Sequence, residues 1–381
     1  YSFTVPVFGG RNRTVFSTLL LLLPTLWIGV AVQNPDTQYA VFVVIALLCG
    51  LGAGNFSSSM ANISFFYPQR LQGTALGLNA GVGNLGVGLA QLVAPIAIYG
   101  GALLILGGEA QTLRDDSGAT TAMWLQNAGF IWVPFIVLAA AAAWWGMDNI
   151  ASVDAKFAEL VAVVKHKHQW LMSWLYTGTF GSFIGLAVGF PMLVNTVFPD
   201  VDAFQFAFIG PLLAVLVGPL GGWLADRLGG AVITVGIFAI MALAALAAVA
   251  FLPWAGASGN AIGFVAMFLV LFLAAGLGNG STFRMIPTIY RTLHERRGGG
   301  TPATTAPETG PRRRAPRAPA TMGFSSAVAA FGGFFIPMAY GASIELTGGP
   351  QGALIFFSLF YLSCLWITWQ WYFRKGAEAP C

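Results

Sequence analysis

"GLGAGNFSSSMANISFFYP", residues 50–68, sits inside a run without charge, 37–69, yet carries two Asn and four Ser. Asn55, Ser59 and Asn62 fall at i, i+4 and i+7, which gathers them into one polar stripe on an otherwise apolar helix. At membrane depth such side chains turn toward a neighbouring helix or a water-filled cavity rather than toward lipid. The stripe therefore reads either as packing glue or as the wall of a path.

The surrounding chain explains why lipid is the relevant solvent. Of 381 residues, 57% are hydrophobic and 8% charged, against about 25% charged in soluble domains. Charge-free runs cover 15–35, 37–69, 71–108, 117–147, 168–199, 203–225, 228–283, 318–344 and 346–373. The run 228–283 breaks at "LPWAGASGN", 252–260, so the reading is ten transmembrane helices, each meeting the ~20 residues a bilayer core requires. Lys and Arg collect in alternate connections: Arg11 and Arg13, Arg70, Lys156–Lys167, Arg227, Arg291–Arg317, and Arg374 with Lys375. Such bias marks the cytoplasmic side. The net charge of +4 is thus a topology signal and not a nucleic-acid footprint. Cys49, Cys364 and Cys381 show no ligand or disulfide spacing.

"GLGAG" at 50–54 returns as "GLGNG" at 276–280, "GLNAGVGNLG" at 77–86 parallels "GFSSAVAAFG" at 323–332, and "VFGGRNRT" at 7–14 parallels "RLGGAVIT" at 227–234. Three matches in one order indicate two homologous helical halves, parallel repeats around a central path. The expected division is an N-terminal half at 1–147, a cytoplasmic linker at 148–168 and a C-terminal half at 169–381. In the second half two helices precede the Gly229-Gly230 turn, whereas Gly9-Gly10 stands almost at the start of the chain. The first half therefore reads as incomplete, four helices plus a stub, lacking the first helix and most of the second. "GGGTPATTAPETGPRRRAPRAPA", 298–320, has no apolar periodicity and reads as a disordered cytoplasmic loop.

"GGWLADRLGG", 221–230, resembles the loop signature of the major facilitator superfamily, with Asp226-Arg227 as its acidic-basic pair. The stretch Gly50–Gly88 resembles the first signature of the nitrate/nitrite porter family within it, and "GFSSAVAAFGGFFIP", 323–337, resembles the second. "TGTFGSFIG", 177–185, and "GLGNGSTFRMIP", 276–287, extend the resemblance over practically the whole chain. The resemblance implies an all-α major facilitator fold that imports nitrate, with nitrite as counter-substrate in exchangers. It places Phe56 as a ring over the anion, Asn84 as a hydrogen-bonding partner, Tyr176 and Phe180 as an aromatic pair, and Gly323 with Ser326 as contact positions. It also implies two site arginines. One would stand where this chain has Gly218, and the other would precede Tyr1.

The residues make sense on their own terms as well. A small, planar, weakly basic anion asks for flat walls, short-range donors and positive charge. Aromatic rings supply walls, and Asn84 and Ser326 supply donors. By pattern alone, however, Asn84 fits interhelical glue equally well, and Tyr176 with Phe180 fits core or lipid-facing packing. Arg284 is the one charge well inside an expected helix and reads as an interface or gating residue in preference to a substrate contact. His166, His168 and His294 fall in cytoplasmic segments and read as solvated.

These features point to a multi-pass nitrate/nitrite transporter of the bacterial inner membrane, working by alternating access as a monomer. Exchange is favoured, because the helices carry no Asp, Glu or His at mid-depth to shuttle a proton. Proton symport, a differently selective facilitator, an anion sensor and a degenerate non-transporting member, suggested by Gly218, are the alternatives. No nucleophile constellation, metal cluster or phosphate loop suggests an enzyme, a metal or a cofactor. The topology makes one direct prediction. Single cysteines at Ser117 and Thr304, in a background freed of native cysteines, react with an impermeant thiol reagent from opposite sides. Labelling of both from one side overturns the orientation.

Overall fold

The computed structural model describes residues 8–67, 69–100, 108–114, 120–149, 162–253, 259–297 and 317–381. The expected stub at 1–7 and residues 298–316 of the expected loop lie outside them. Nine helices among the described residues are long and apolar enough to cross a membrane. The remaining expected span is divided, as α3 (Tyr39–Ala53) and α4 (Asn55–Phe66), with a turn at Gly54. Gly50, Gly52 and Gly54 lower helix propensity just there.

The chain falls into two compact units: Tyr1–Asn62 with Leu89–Asp154, and Ile63–Gly88 with Ala155–Cys381. In the first, α1 (Gly10–Leu20) and α2 (Leu22–Ala31) form one span interrupted at Leu21, where Pro24 cannot donate to the Leu20 carbonyl. The later part of α5 (Gln69–Tyr99), α6 (Asn127–Phe130) and α7 (Val133–Gly146) complete it. Between them lies one short strand pair in the connection. Strands β1 (Gln111–Arg114) and β2 (Thr120–Met123) pair antiparallel, Gln111 opposite Met123. Asn62 answers half of the question its stripe raised, for it is buried and its amide fills the space a side chain at Gly10 would need. At that position the stripe is packing glue.

The second unit holds α8 (Lys167–Tyr176), α9 (Ser182–Val197), α10 (Ile209–Leu228), α11 (Gly230–Val249), α12 (Ala261–Arg297), α13 (Arg317–Ala330), α14 (Gly332–Thr347) and α15 (Gln351–Thr368). A π-helical turn, Thr177–Gly181, joins α8 to α9, and a turn at Phe331 separates α13 from α14. Both irregularities fall within stretches that the family resemblance singled out. The main packed pairs are α10 with α12, α11 with both α12 and α15, α9 with α14, and α8 with α13.

The repeat reappears in backbone geometry. Gly9 and Gly229, equivalent in "VFGGRNRT" and "RLGGAVIT", both take positive φ, 79° and 95°, and each begins a helix, a conformation glycine adopts without steric cost. The orphan N–H groups that follow are satisfied in parallel ways. Arg11 N–H donates to Asn149 Oδ1 at 3.0 Å, and Ala231 N–H donates to the Cys381 carbonyl at 3.1 Å.

One expectation fails at the end of the chain. His168 is not solvated but buried, with Nδ1 3.0 Å from the Tyr372 hydroxyl and Nε2 3.2 Å from Glu378. The segment Arg374–Cys381 folds back along α8 and α11, burying Ala377 and Ala379 completely. The sequence carried no periodic signal for so short a strap. His166 is half-buried, and the His294 side chain lies outside what is described.

Glu378 clasps the strap, because Lys167 Nζ donates to its Oε2 at 2.5 Å. The hydrogen bond from Lys167, followed by that from His168, holds its carboxyl below the ordinary range against an opposing desolvation. A carboxylate depressed in the folded state stabilises above its unfolded pKa, and that contribution is lost as pH falls through the lowered value. The clasp is therefore complete at neutral pH. Glu378→Gln is expected to speed tryptic cleavage at Arg374 and Lys375 about twofold to fivefold, the worth of a partly exposed ion pair. An unchanged rate shows that burial of Ala377 and Ala379 holds the strap alone.

Candidate functional site

The second unit assembles three of the expected site residues. Tyr176, ending α8, and Phe180, within the π turn, stack with centroids 5.1 Å apart and planes 8° from parallel. The Tyr176 hydroxyl faces Ser326 on α13, whose own hydroxyl donates to the Met322 carbonyl at 2.8 Å. All three are buried, at 1%, 4% and 2% exposed. Gly323 lies one turn before Ser326 on the same helix and is buried as well. The result is a flat aromatic face edged by two hydroxyls.

Asn84 belongs to the same unit by a different route. On α5 it stands between Gly81, packed toward Pro219, and Gly88, whose Cβ position is 3.3 Å from the Leu212 nitrogen. Residues 81, 84 and 88 share one helical face, so Asn84 faces α10 between those contacts. It is half-buried, and its amide makes no hydrogen bond among the described residues. Phe56 is placed in the first unit, on α4, half-buried, with its carbonyl accepting from the Ser59 hydroxyl at 2.9 Å.

Gly218, on α10 beside Pro219, marks the seam with α12. The helices meet backbone to backbone, since a Cβ at Gly221 would overlap the Leu277 carbonyl and one at Gly280 would overlap the Gly218 carbonyl. At Gly218 itself the nearest atom is the Gly276 carbonyl oxygen, 3.6 Å away. That is ordinary van der Waals contact, so this position accepts a side-chain stem where its neighbours do not.

Asp226 and Arg227, at the loop end of α10, have separate partners. Asp226 Oδ1 accepts from Arg284 Nε, whose Nη1 also donates to Thr288 Oγ1 at 3.2 Å. Arg227 lies over the Trp223 ring, 4.1 Å from its centroid. Arg284 is thus occupied by the loop motif.

Sequence reading missed several residues here. Phe283 meets Tyr176 edge to face at 5.0 Å, and the Thr179 and Thr282 hydroxyls are 3.1 Å apart. Two turns before Tyr176 on α8, the Gln169 amide donates to Ser173 and Ser325 at 3.1 and 3.0 Å. The signal was present: Gln169, Ser173, Tyr176 and Phe180 follow the spacing of one helical face within a charge-free run. Gln169 Oε1 and Thr321 Oγ1 are buried with no partner among the described residues, so this face retains unused hydrogen-bonding capacity. Among the described residues no group of His, Cys, Asp and Glu is arranged to hold a metal ion.

Residues 6–304 match the Major Facilitator Superfamily. The chain is 46% identical over 379 residues to the nitrate/nitrite transporter NarU of Escherichia coli, covering 98% of this chain and 80% of that protein. It is 38% identical over 393 residues to the probable nitrate/nitrite antiporter NarK2 of Thermus thermophilus, covering 100% and 81%. The crystal structure of the E. coli fucose:proton symporter FucP superposes with a TM-score of 0.57 at 13% identity, over 96% of this chain and 85% of that one.

The glycine seam gives a stability prediction. Gly221→Ala is expected to cost about 1–3 kcal/mol by overpacking, seen as a lower thermal midpoint in detergent. Gly218→Ala should be neutral or stabilising by up to about 1 kcal/mol, since alanine is the better helix former. Equal losses at both positions would refute the asymmetric seam.

Proposed function

The chain belongs to the nitrate/nitrite porter family of the major facilitator superfamily, and on that premise we propose that it exchanges nitrate for nitrite across the bacterial inner membrane. The halves 1–147 and 169–381, joined by the linker 148–168, would rock about a central site. The observation that carries this reading is the stacked Tyr176–Phe180 face with the Ser326 hydroxyl at its edge. A planar oxyanion fits against a ring face and accepts a hydrogen bond from the Tyr176 hydroxyl in its own plane, and the Ser326 hydroxyl joins it only by turning from the Met322 carbonyl, to which it donates at 2.8 Å. Asn84 adds an amide with no hydrogen bond among the described residues and Gly323 the space for the anion to pass, while Phe56 keeps the role that the family resemblance implies.

Exchange is preferred to proton coupling because the site residues are neutral at every working pH. Release of one anion and binding of the next resets such a carrier without a titrating group.

A second reading, a weak or inactive carrier, is favoured by Gly218. An anion leaving water loses several kcal/mol of hydration even after relaxation of the protein, and a guanidinium matches it with a planar fork that neutral donors lack. Arg284 does not fill that role, being held by Asp226 and Thr288. The room at Gly218 makes a direct repair feasible.

In proteoliposomes, nitrate uptake is expected to require internal nitrite or nitrate and to ignore a pH gradient. Asn84→Ala should weaken nitrate binding by about 1–3 kcal/mol, the cost of an unmet polar interaction, and Gly218→Arg should raise uptake. Uptake driven by a proton gradient into anion-free vesicles overturns exchange, and no gain from Gly218→Arg removes the account of the weak site.

A further inference from the structure

The tetrapeptide Ser281-Thr282-Phe283-Arg284 sends four consecutive side chains to four different elements. Ser281 and Thr234 of α11 have hydroxyls 2.9 Å apart. Thr282 reaches Thr179 of the π turn, Phe283 meets the Tyr176 ring on α8, and Arg284 pairs with Asp226 on α10. Helical residues step about 100° around the axis, so four in a row point almost all the way round α12. Ser281 and Thr282 are fully buried and Phe283 is 9% exposed. α12 runs from Ala261 to Arg297 with Pro287 inside it, and the four residues lie together on the N-terminal side of that proline, so these contacts share one helical turn.

We propose that Ser281–Arg284 is a mechanical junction that couples the aromatic face at Tyr176 to the Asp226–Arg284 ion pair, with Phe283 as its positioning residue. This rests on the reading above that Tyr176 belongs to the substrate site. Residues 283 and 284 cannot move independently on a continuous helix. A shift of α12 that separates Arg284 from Asp226 therefore drags the Phe283 ring across Tyr176, and displacement of Tyr176 by a bound anion pushes back on the ion pair. The two ends differ in kind, one a buried ring contact and the other a partly exposed salt bridge. A salt bridge so exposed contributes little in water, so it is the end that gives way.

The protein contains its own reporter. Cys381 lines a cavity of about 190 Å³ together with Asp226, Arg284 and Thr288, and burial pushes its thiol up to about 12, so it reacts slowly while the cavity is closed. With Cys49→Ser and Cys364→Ala, the maleimide labelling rate of Cys381 in detergent reads the ion-pair end. Tyr176→Ala is expected to accelerate labelling about fivefold or more, the size of a modest coupling, and to change nothing in a Phe283→Ala or Phe283→Leu background. The leucine variant keeps most of the buried volume should the alanine variant fold poorly. A Gly146→Cys control in a background lacking Cys381 reports general loosening and is expected not to change.

An equal effect of Tyr176→Ala with and without Phe283, or none with Phe283 present, overturns the junction. Nitrate, added separately to the protein with Phe283 and Tyr176 intact, tests the underlying function. A coupled cycle without any nitrate effect supports the junction and counts against nitrate at Tyr176. An uncoupled cycle overturns the junction whatever nitrate does.

Discussion

Close approach of two helix backbones organises the second unit. Where α10 and α12 cross, glycines on both sides remove the side chains that would hold them apart, and the carbonyls of Gly218 and Leu277 occupy the vacated space. Lipid offers no hydrophobic drive for helices to associate, so contact this intimate supplies dispersion that bulkier residues would forfeit. It also fixes a register. With the seam set, Asp226 comes level with Arg284, and Phe283 is aimed away from α10 toward α8. Changing the seam would alter the ion pair and the aromatic face together.

The seam also clarifies what kind of site this is. The chain has hydroxyls, an amide and stacked rings, and its nearby guanidinium is bound to a loop carboxylate. Selectivity for a flat anion can come from ring faces and in-plane donors, because shape and hydrogen-bond direction discriminate without net charge. Affinity is a different matter, since it must compensate lost hydration. On the proposed reading, shape and charge are separable, and Gly218 is the position where they separate.

Much of the architecture was legible in the chain. The charge-free runs led to the helical fold and to the spans, because lipid imposes apolar length and helical hydrogen bonding on every crossing segment. The candidate site residues came mainly from signature resemblance, since Tyr176 and Phe180 by pattern alone fit packing as well as binding. What escaped was set by tertiary contact. The strap Arg374–Cys381 is too short to show periodicity, so its burial of His168 could not be foreseen. The break at Gly54 and the π turn at Thr177–Gly181 are local adjustments of helices whose existence was plain. The roles of Thr282 and Phe283 depend on which neighbours α12 acquires. The β1–β2 hairpin sits in a loop where Thr-rich β-propensity had no apolar alternation to announce it.

The matched caps at Arg11 and Ala231 bear on how the protein is made. In each half the helix after the double glycine relies on an acceptor that lies beyond that half's last helix, Asn149 in one case and the Cys381 carbonyl in the other. During synthesis that helix therefore enters the membrane with a donor still seeking a partner, and remains so until the ribosome has passed the end of the half. The exchange of water for the native acceptor therefore comes late, once the last helix before that acceptor has been made. The acceptor differs, a side-chain amide in one half and a peptide carbonyl in the other, while the donor's place is the same. The two glycine turns thus meet one need for hydrogen bonding with different atoms.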